Sequence, residues 1–228
     1  MANHTFIPKN ILKEIRIFLK KNYKIVNFNN IFLIGSSVLY ILKNKFNLRE
    51  MDLDFCFFNN KELESKLIKN HFKQITKFGV FSQENISFVK FRKENKNIIL
   101  FTDDIVLDAY RRDFSVNTIY ISLSDGFIYD PLNGLEDVRN KAINLINSSG
   151  FIIDDSRMLR MLKLIFKHDY KMNILTKKIL YKTIDFKIKN NSFSNRFNIE
   201  RTKEFYNNIP TEKIIDEEFK IYISLLLK

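Results

Sequence analysis

The sequence predicts an α+β domain, a mixed sheet with helices, followed by an all-α segment. Short apolar runs bounded by turn residues alternate with amphipathic stretches through the first 147 residues. Two pairs of apolar runs flank short polar turns, as hairpin strands do. Beyond Asp154 the strand signals stop and only helical spacing remains. The polar cluster Asn147-Ser148-Ser149-Gly150 marks the change, giving domains at 1–147 and 148–228.

Each element has its own local argument. Ile11, Ile15, Phe18 and Leu19 recur at helical spacing after Pro8 and Asn10, predicting a helix over 9–22. The run 31–34 is apolar throughout and stopped by Gly35, so it reads as a buried strand, and Ser36 is placed as the N-cap of a helix through about residue 46. A second strand follows over 51–58 and a helix over 61–72. The stretches 86–92 and 98–102 flank Glu94-Asn95-Lys96-Asn97 as one hairpin; 116–123 and 126–129 flank Ser124-Asp125 as another. Four helices are expected near 154–170, 175–188, 198–207 and 211–227.

Composition narrows the function classes. With 45% hydrophobic and 28% charged residues the chain is an ordinary globular protein, not a disordered one. No apolar run reaches the roughly 20 residues that span a bilayer, and no secretory leader is recognisable, so a cytoplasmic protein without a membrane partner is expected. One cysteine and three histidines do not build a thiolate or imidazole metal site. The 38 basic and 26 acidic residues leave a net charge of +12, which points to a polyanionic partner such as nucleic acid. Residues 151–228 carry 16 basic and 10 acidic side chains and are the more basic part per residue.

Asp52-Leu53-Asp54 lies inside an apolar strand. Alternation sends Asp52 and Asp54 to one face, while Leu53, Phe55 and Phe57 enter the core. Two carboxylates on one face repel unless a cation neutralises them, and hard oxygen ligands at this spacing suit Mg²⁺. An edge strand turning its polar side to water would show the same pattern. Cys56 shares that face and reads as a small buried hydrophobe. Upstream, Gly35-Ser36 joins a strand to a helix, where backbone N–H groups can approach a phosphate; a plain strand–helix turn is the alternative.

A strand ending in Gly-Ser, a helix and then a strand carrying Asp52 and Asp54 resembles the nucleotidyltransferase superfamily of polymerase-β type. Arg111-Arg112-Asp113-Phe114-Ser115-Val116-Asn117 resembles the Arg-Arg-Asp-x-x-x-Asn motif of class II tRNA nucleotidyltransferases (CCA-adding enzymes) and bacterial poly(A) polymerases. Asp130-Pro131-Leu132-Asn133-Gly134-Leu135-Glu136-Asp137 is similar to the family's next segment. Asp154-Asp155-Ser156-Arg157-Met158-Leu159-Arg160 resembles its Asp-x-x-Arg-x-x-Arg neck helix, and Phe197-Asn198-Ile199-Glu200-Arg201 its last neck motif.

The resemblance implies a polymerase-β-like head followed by an all-α neck. It also implies template-independent addition of C and A, from CTP and ATP, to the 3′ end of tRNA, with Mg²⁺ on Asp52 and Asp54. Gly35, Ser36, Arg111, Arg112, Asp113, Asn117, Asp154, Arg157 and Arg160 are then nucleotide-binding positions. Adjacent arginines supply forked donors for a triphosphate. Asp113 and Asn117 recognise the ribose, or Asp113 fixes the arginines instead. Asp154 and Arg157, three apart on a helix, pair with the Watson–Crick edge of C or A, with a surface ion pair as the alternative; Arg160 contacts phosphate or holds Asp154.

The sequence departs from the family pattern in five places. Leu39-Tyr40 stands where the family has Arg-Asp. The family's glutamate before its flexible loop falls near Ile99, with Asp103 or Asp104 as substitutes, and Ile153 replaces an acidic residue. Only residues 103–110 precede Arg111, where the family carries a longer loop; that shortening favours CC-only addition. The usual body and tail are largely missing, leaving a monomer or homodimer open. Poly(A) tailing and a non-catalytic RNA-binding paralogue remain alternatives.

Overall fold

The computed structural model describes residues 6–76, 79–95, 98–150, 154 and 156–190. The chain divides into two compact units, Met1–Val138 and Arg139–Lys228. The two last predicted helices and the Phe197–Arg201 motif lie outside the described residues.

In the first unit, α1 (Lys9–Tyr23), β1 (Ile31–Ile34), α2 (Ser36–Leu42), β2 (Leu53–Phe57) and α3 (Lys61–Lys69) follow in order. Next come β3 (Lys73–Thr76), β4 (Val80–Gln83), β5 (Ile86–Lys90), β6 (Arg92–Asn95), β7 (Ile98–Phe101) and α4 (Ile105–Arg111). A 3₁₀ turn (Ser115–Asn117), β8 (Tyr120–Ser122), β9 (Ile128–Tyr129) and α5 (Gly134–Asn140) complete the series. Seven strands form one mixed sheet in the order β3-β4-β5-β2-β1-β8-β9, in which β2 and β5 are parallel and the other pairs antiparallel. This is the polymerase-β-like head with mixed sheet and helices that the motifs implied.

Strand alternation builds two apolar clusters from β1 and β2. Ile31, Leu33, Leu53, Phe55 and Phe57 join Leu12, Ile15 and Leu19 of α1, Val38 and Ile41 of α2, and Leu63 and Leu67 of α3 in the large core. Phe32, Ile34 and Cys56 join Phe91, Ala109 and Tyr120 in a smaller one. Burying an aromatic or aliphatic side chain of this size stabilises by about 1.5–3 kcal/mol, so both faces contribute to stability.

Several elements differ from their expected bounds. Gly35, not Ser36, occupies the N-cap of α2; Ser36 is the first helical residue, and the helix ends at Leu42, followed by Asn44 at φ 54°. Helix α3 stops at Lys69, and residues 73–76 and 80–83, which carry no clear strand signal, pair as a hairpin, with Gly79 at φ 68° just ahead of β4. Phe81 is the main buried anchor of that hairpin, too sparse an apolar pattern for alternation to be visible. The predicted 86–92 strand breaks at Phe91, a fully buried ring against Phe32, Phe58 and Tyr120. Before it β5 enters the main sheet; after it β6 pairs β7 in a separate two-stranded ladder. The short segment ahead of Arg111 is helix α4, capped by the Asp104 side chain.

In the second unit, β10 (Ala142–Ile143) pairs in parallel with β11 (Lys171–Met172), which separates α6 (Ser156–His168) from α7 (Ile174–Asn190). The expected all-α character of 148–228 is therefore interrupted. Asp169 at φ 58° ends α6, and the Lys171 N–H bonds to the Lys141 carbonyl at 2.7 Å. Among the described residues, no helix is long and apolar enough to cross a membrane.

Candidate active site

The antiparallel register sets Ile34 of β1 opposite Asp54 of β2, so Gly35 emerges beside that carboxylate. Gly35 has φ 73° and ψ −147°, a conformation open to glycine, and a Cβ there would lie 3.3 Å from Asp54 Oδ2. Asp52 precedes the strand and is exposed; Asp54 is half-buried within it, on the face that also carries Cys56. Ser36 is half-buried in the first turn of α2, and the Ser37 hydroxyl donates to the Ile34 carbonyl at 3.0 Å, bracing the bend. Leu39 is buried and Tyr40 packs against the large core, so apolar packing fills the positions where the family pattern has an ion pair.

Two carboxylates at the edge of a strand, one of them beside a glycine that adds no side chain there, fit a hard divalent cation that keeps water in its remaining positions. Among the described residues, no cluster of three or more acidic, histidine or cysteine side chains forms. Ile99 lies in the separate ladder opposite Glu94, away from the main sheet's pairing; the residue registered beside Asp54 on β5 is Ser87. Asp103 accepts the Asn59 N–H at 3.1 Å and Asp104 accepts the Val106 and Leu107 N–H groups, so both aspartates have local structural tasks.

The second cluster is centred on Asp108 of α4, which is fully buried. Its Oδ1 accepts from the Arg92 backbone N–H at 3.1 Å and from Arg111 Nη2 at 3.2 Å. Its Oδ2 accepts from Arg112 Nε at 2.8 Å and from the Tyr120 hydroxyl at 2.9 Å. Burial alone would raise the Asp108 pKa, but Arg112 and Arg111 override it and hold the carboxyl at about 2. Arg112 also donates through Nη1 to the Asn117 carbonyl at 3.2 Å, places Nη2 3.0 Å from Cys56 Sγ, and lies over the Tyr120 ring. Its fork is thus engaged inside the protein by Asp108, the Asn117 carbonyl and Cys56. Burial lifts the Cys56 thiol to about 12, so it stays protonated beside Arg112. Since Cys56 is two residues from Asp54 on one strand face, β2 links the carboxylates to the arginine cluster.

Asp113 is buried, and its Oδ1 accepts from its neighbour Phe114 N–H at 2.9 Å and from Asn117 Nδ2 at 2.8 Å. The structure therefore joins Asp113 to Asn117. Next, Asp130 accepts the Gly134 and Leu135 N–H groups at 2.6 and 2.9 Å, capping α5. A Cβ on Gly134 would lie 2.3 Å from the Ser115 carbonyl, and the Ser115 hydroxyl donates to Asp137. The Asp130–Asp137 segment thus clamps α5 onto the turn that presents Asn117.

In the second unit, Asp154 lies ahead of α6 instead of on its face. Its Oδ1 accepts from Ser156 N–H at 3.0 Å and from the Ser156 hydroxyl at 2.6 Å, and its Oδ2 lies 3.8 Å from Arg160 Nη2. Arg157 is buried over Gly150, where any Cβ would collide with its guanidinium, and its N–H bonds to the Asp154 carbonyl at 3.1 Å. Arg160 is exposed and also donates to the Ser156 hydroxyl at 3.0 Å.

Residues 42–144 match the family described as the poly(A) polymerase head domain. Over that stretch the chain resembles a nucleotidyltransferase head domain. An A-adding tRNA nucleotidyltransferase from Aquifex aeolicus is 27% identical over 170 residues, 68% of this chain and 20% of that protein. A CCA-adding enzyme from Staphylococcus epidermidis is 32% identical over 93 residues, 37% of this chain and 23% of that protein. The solved Thermotoga maritima CCA-adding enzyme in complex with tRNA shares the fold with TM-score 0.68 and 20% identity, covering 97% of this chain and 52% of that one. The chain therefore spans about a fifth of the curated relatives and about half of the structural neighbour.

Sequence reasoning on the head domain overlooked Asp108, Arg92 and Tyr120. Asp108 was recoverable, because it precedes Arg111 and Arg112 by three and four residues, the spacing of ion pairs on a helix. Arg92 and Tyr120 come from other strands, and only the tertiary fold brings them to Asp108.

Proposed function

We propose that the chain is a metal-dependent, template-independent nucleotidyltransferase that adds C and A from CTP and ATP to the 3′ end of tRNA. The observation that carries this reading is the Asp54 carboxylate beside the open backbone of Gly35, on the sheet face that leads through Cys56 to the Asp108–arginine cluster. Asp52 and Asp54 would hold Mg²⁺. When bound, that ion supplies Lewis acidity toward the primer 3′-hydroxyl and charge neutralisation at the phosphates.

The chain's own groups do the rest. Arg111, held by Asp108, donates to the nucleotide's phosphate chain. Arg112 acts from inside, fixing the Asn117 carbonyl and the 3₁₀ turn. The Asp113–Asn117 pair presents a donor and an acceptor to the ribose hydroxyls. In the second unit Asp154 and Arg157 supply an acceptor and a forked donor for the base's Watson–Crick edge, and Arg160 holds Asp154 in place. Excess positive charge favours the tRNA backbone. The working protein would be cytoplasmic, a monomer or homodimer.

Likeness to the Aquifex A-adding enzyme favours a second reading, addition of the terminal A alone. The test is incubation with Mg²⁺, labelled CTP or ATP, and tRNA transcripts ending before the first C, after the second C or after the full CCA. Addition of C, C and A that then stops supports the first reading. Addition of A only to the CC-ended transcript supports the second. Stalling after two Cs, or long A tracts, assigns CC-only addition or tailing. Full incorporation by an Asp52→Ala, Asp54→Ala variant refutes the carboxylate site, and no incorporation by the wild-type chain leaves an RNA-binding role.

A further inference from the structure

Arg92 opens β6, is half-buried, and sits near both Arg111 and the Asp108 carboxylate. The Asp108 carboxylate receives the Arg92 backbone N–H, while its oxygens are occupied by Arg111, Arg112 and Tyr120, so none is left for the Arg92 side chain. Among the described residues, no carboxylate lies within ion-pair distance of the Arg92 guanidinium, and its Nε is buried without an acceptor. Burial, then repulsion from Arg111, pulls its pKa down to about 10. A buried donor left unsatisfied costs about 1–3 kcal/mol, and more when it is charged. A structural role would have removed that cost with an acceptor from the protein.

We propose that Arg92 is a phosphate-binding residue, whose fork takes an oxyanion of the nucleotide's phosphate chain beside Arg111. This rests on the transferase reading above and supplies a fork where Arg112, engaged by the Asn117 carbonyl, Cys56 and Asp108, has none to offer. A planar guanidinium binds two phosphate oxygens at once, and a lysine would keep the charge without that geometry. The same oxyanion chemistry exists on an RNA backbone, so the test separates the two sources.

The experiment is calorimetric titration of the wild-type chain, Arg92→Met and Arg92→Lys with inorganic tripolyphosphate, with CTP, and with a 3′-truncated tRNA transcript alone. Urea unfolding of each protein accompanies the titrations. Arg92→Met should weaken tripolyphosphate and CTP binding by about tenfold or more and leave transcript binding within about twofold. Arg92→Lys should fall between it and the wild type. Arg92→Met should unfold at the same or a higher urea concentration, because it removes a half-buried guanidinium whose Nε has no acceptor. Tripolyphosphate binding unchanged in Arg92→Met, or loss of transcript binding alone, overturns the proposal. So does a lower unfolding midpoint in Arg92→Met together with phosphate binding in Arg92→Lys no better than in Arg92→Met. If the wild-type chain incorporates no nucleotide while the tripolyphosphate pattern holds, the transferase reading falls and the assignment of Arg92 stands.

Discussion

Replacing Asp108 by asparagine should be the most damaging single change in the head domain that leaves side-chain volume intact. The Asp108 side chain is 1% exposed and lies 2.8 Å from Arg112 and 3.2 Å from Arg111. Asparagine keeps one acceptor but turns an N–H₂ donor toward guanidinium and hydroxyl donors, leaving two half-buried cations without their shared carboxylate. Removing one partner of a buried pair costs about 3–5 kcal/mol. Holding the carboxyl at about 2 in the fold, against 3.8 for the free group, independently corresponds to about 2.5 kcal/mol at neutral pH. Both routes give a loss of about 3 kcal/mol. In urea, with a slope of about 2 kcal/mol per molar, the midpoint should fall by about 1.5 M, followed by far-ultraviolet circular dichroism. An Asp108→Asn, Arg112→Met double variant removes charge and counter-charge together and should recover much of the loss. A midpoint shift equivalent to less than about 1 kcal/mol would refute the view that Asp108 organises this cluster.

The same carboxyl sets an acid limit: its depressed pKa stabilises the fold fully above about pH 4 and that contribution disappears as pH falls through about 2, so Asp108→Asn should show a flatter stability profile across this window than the wild type. Gly134→Ala forces a Cβ to 2.3 Å from the Ser115 carbonyl and should cost about 3 kcal/mol, read as a lower unfolding midpoint; an unchanged midpoint would mean α5 can move away freely. Gly35→Ala should destabilise by only about 1–2 kcal/mol, from its positive φ, yet lower nucleotide incorporation about a hundredfold, because the added carbon approaches Asp54 Oδ2. Asp130→Ala removes the acceptor of two N–H groups at the start of α5 and should cost about 1–2 kcal/mol in the same unfolding assay.

Local pattern made much of this protein readable from its residues. The run 31–34 is a strand with those same bounds because four consecutive apolar residues stopped by a glycine have few other solutions. Asp54 and Cys56 share a face, and Leu53, Phe55 and Phe57 the other, because strand alternation is a property of the backbone alone. The Asp130–Gly134 segment caps a helix through side-chain contacts only a few residues long. What the tertiary structure decided is which charges meet. Arg111 and Arg112 are adjacent in sequence, yet Arg112 is drawn inside by Cys56, Tyr120 and the Asn117 carbonyl, groups five to fifty-six residues away. Arg92 reaches the cluster because the buried ring of Phe91 breaks one predicted strand into two and redirects the chain. Periodicity reports the side of an element on which a residue lies. It carries no term for the partner that arrives from another strand, and a buried ion pair exists only when both arrive.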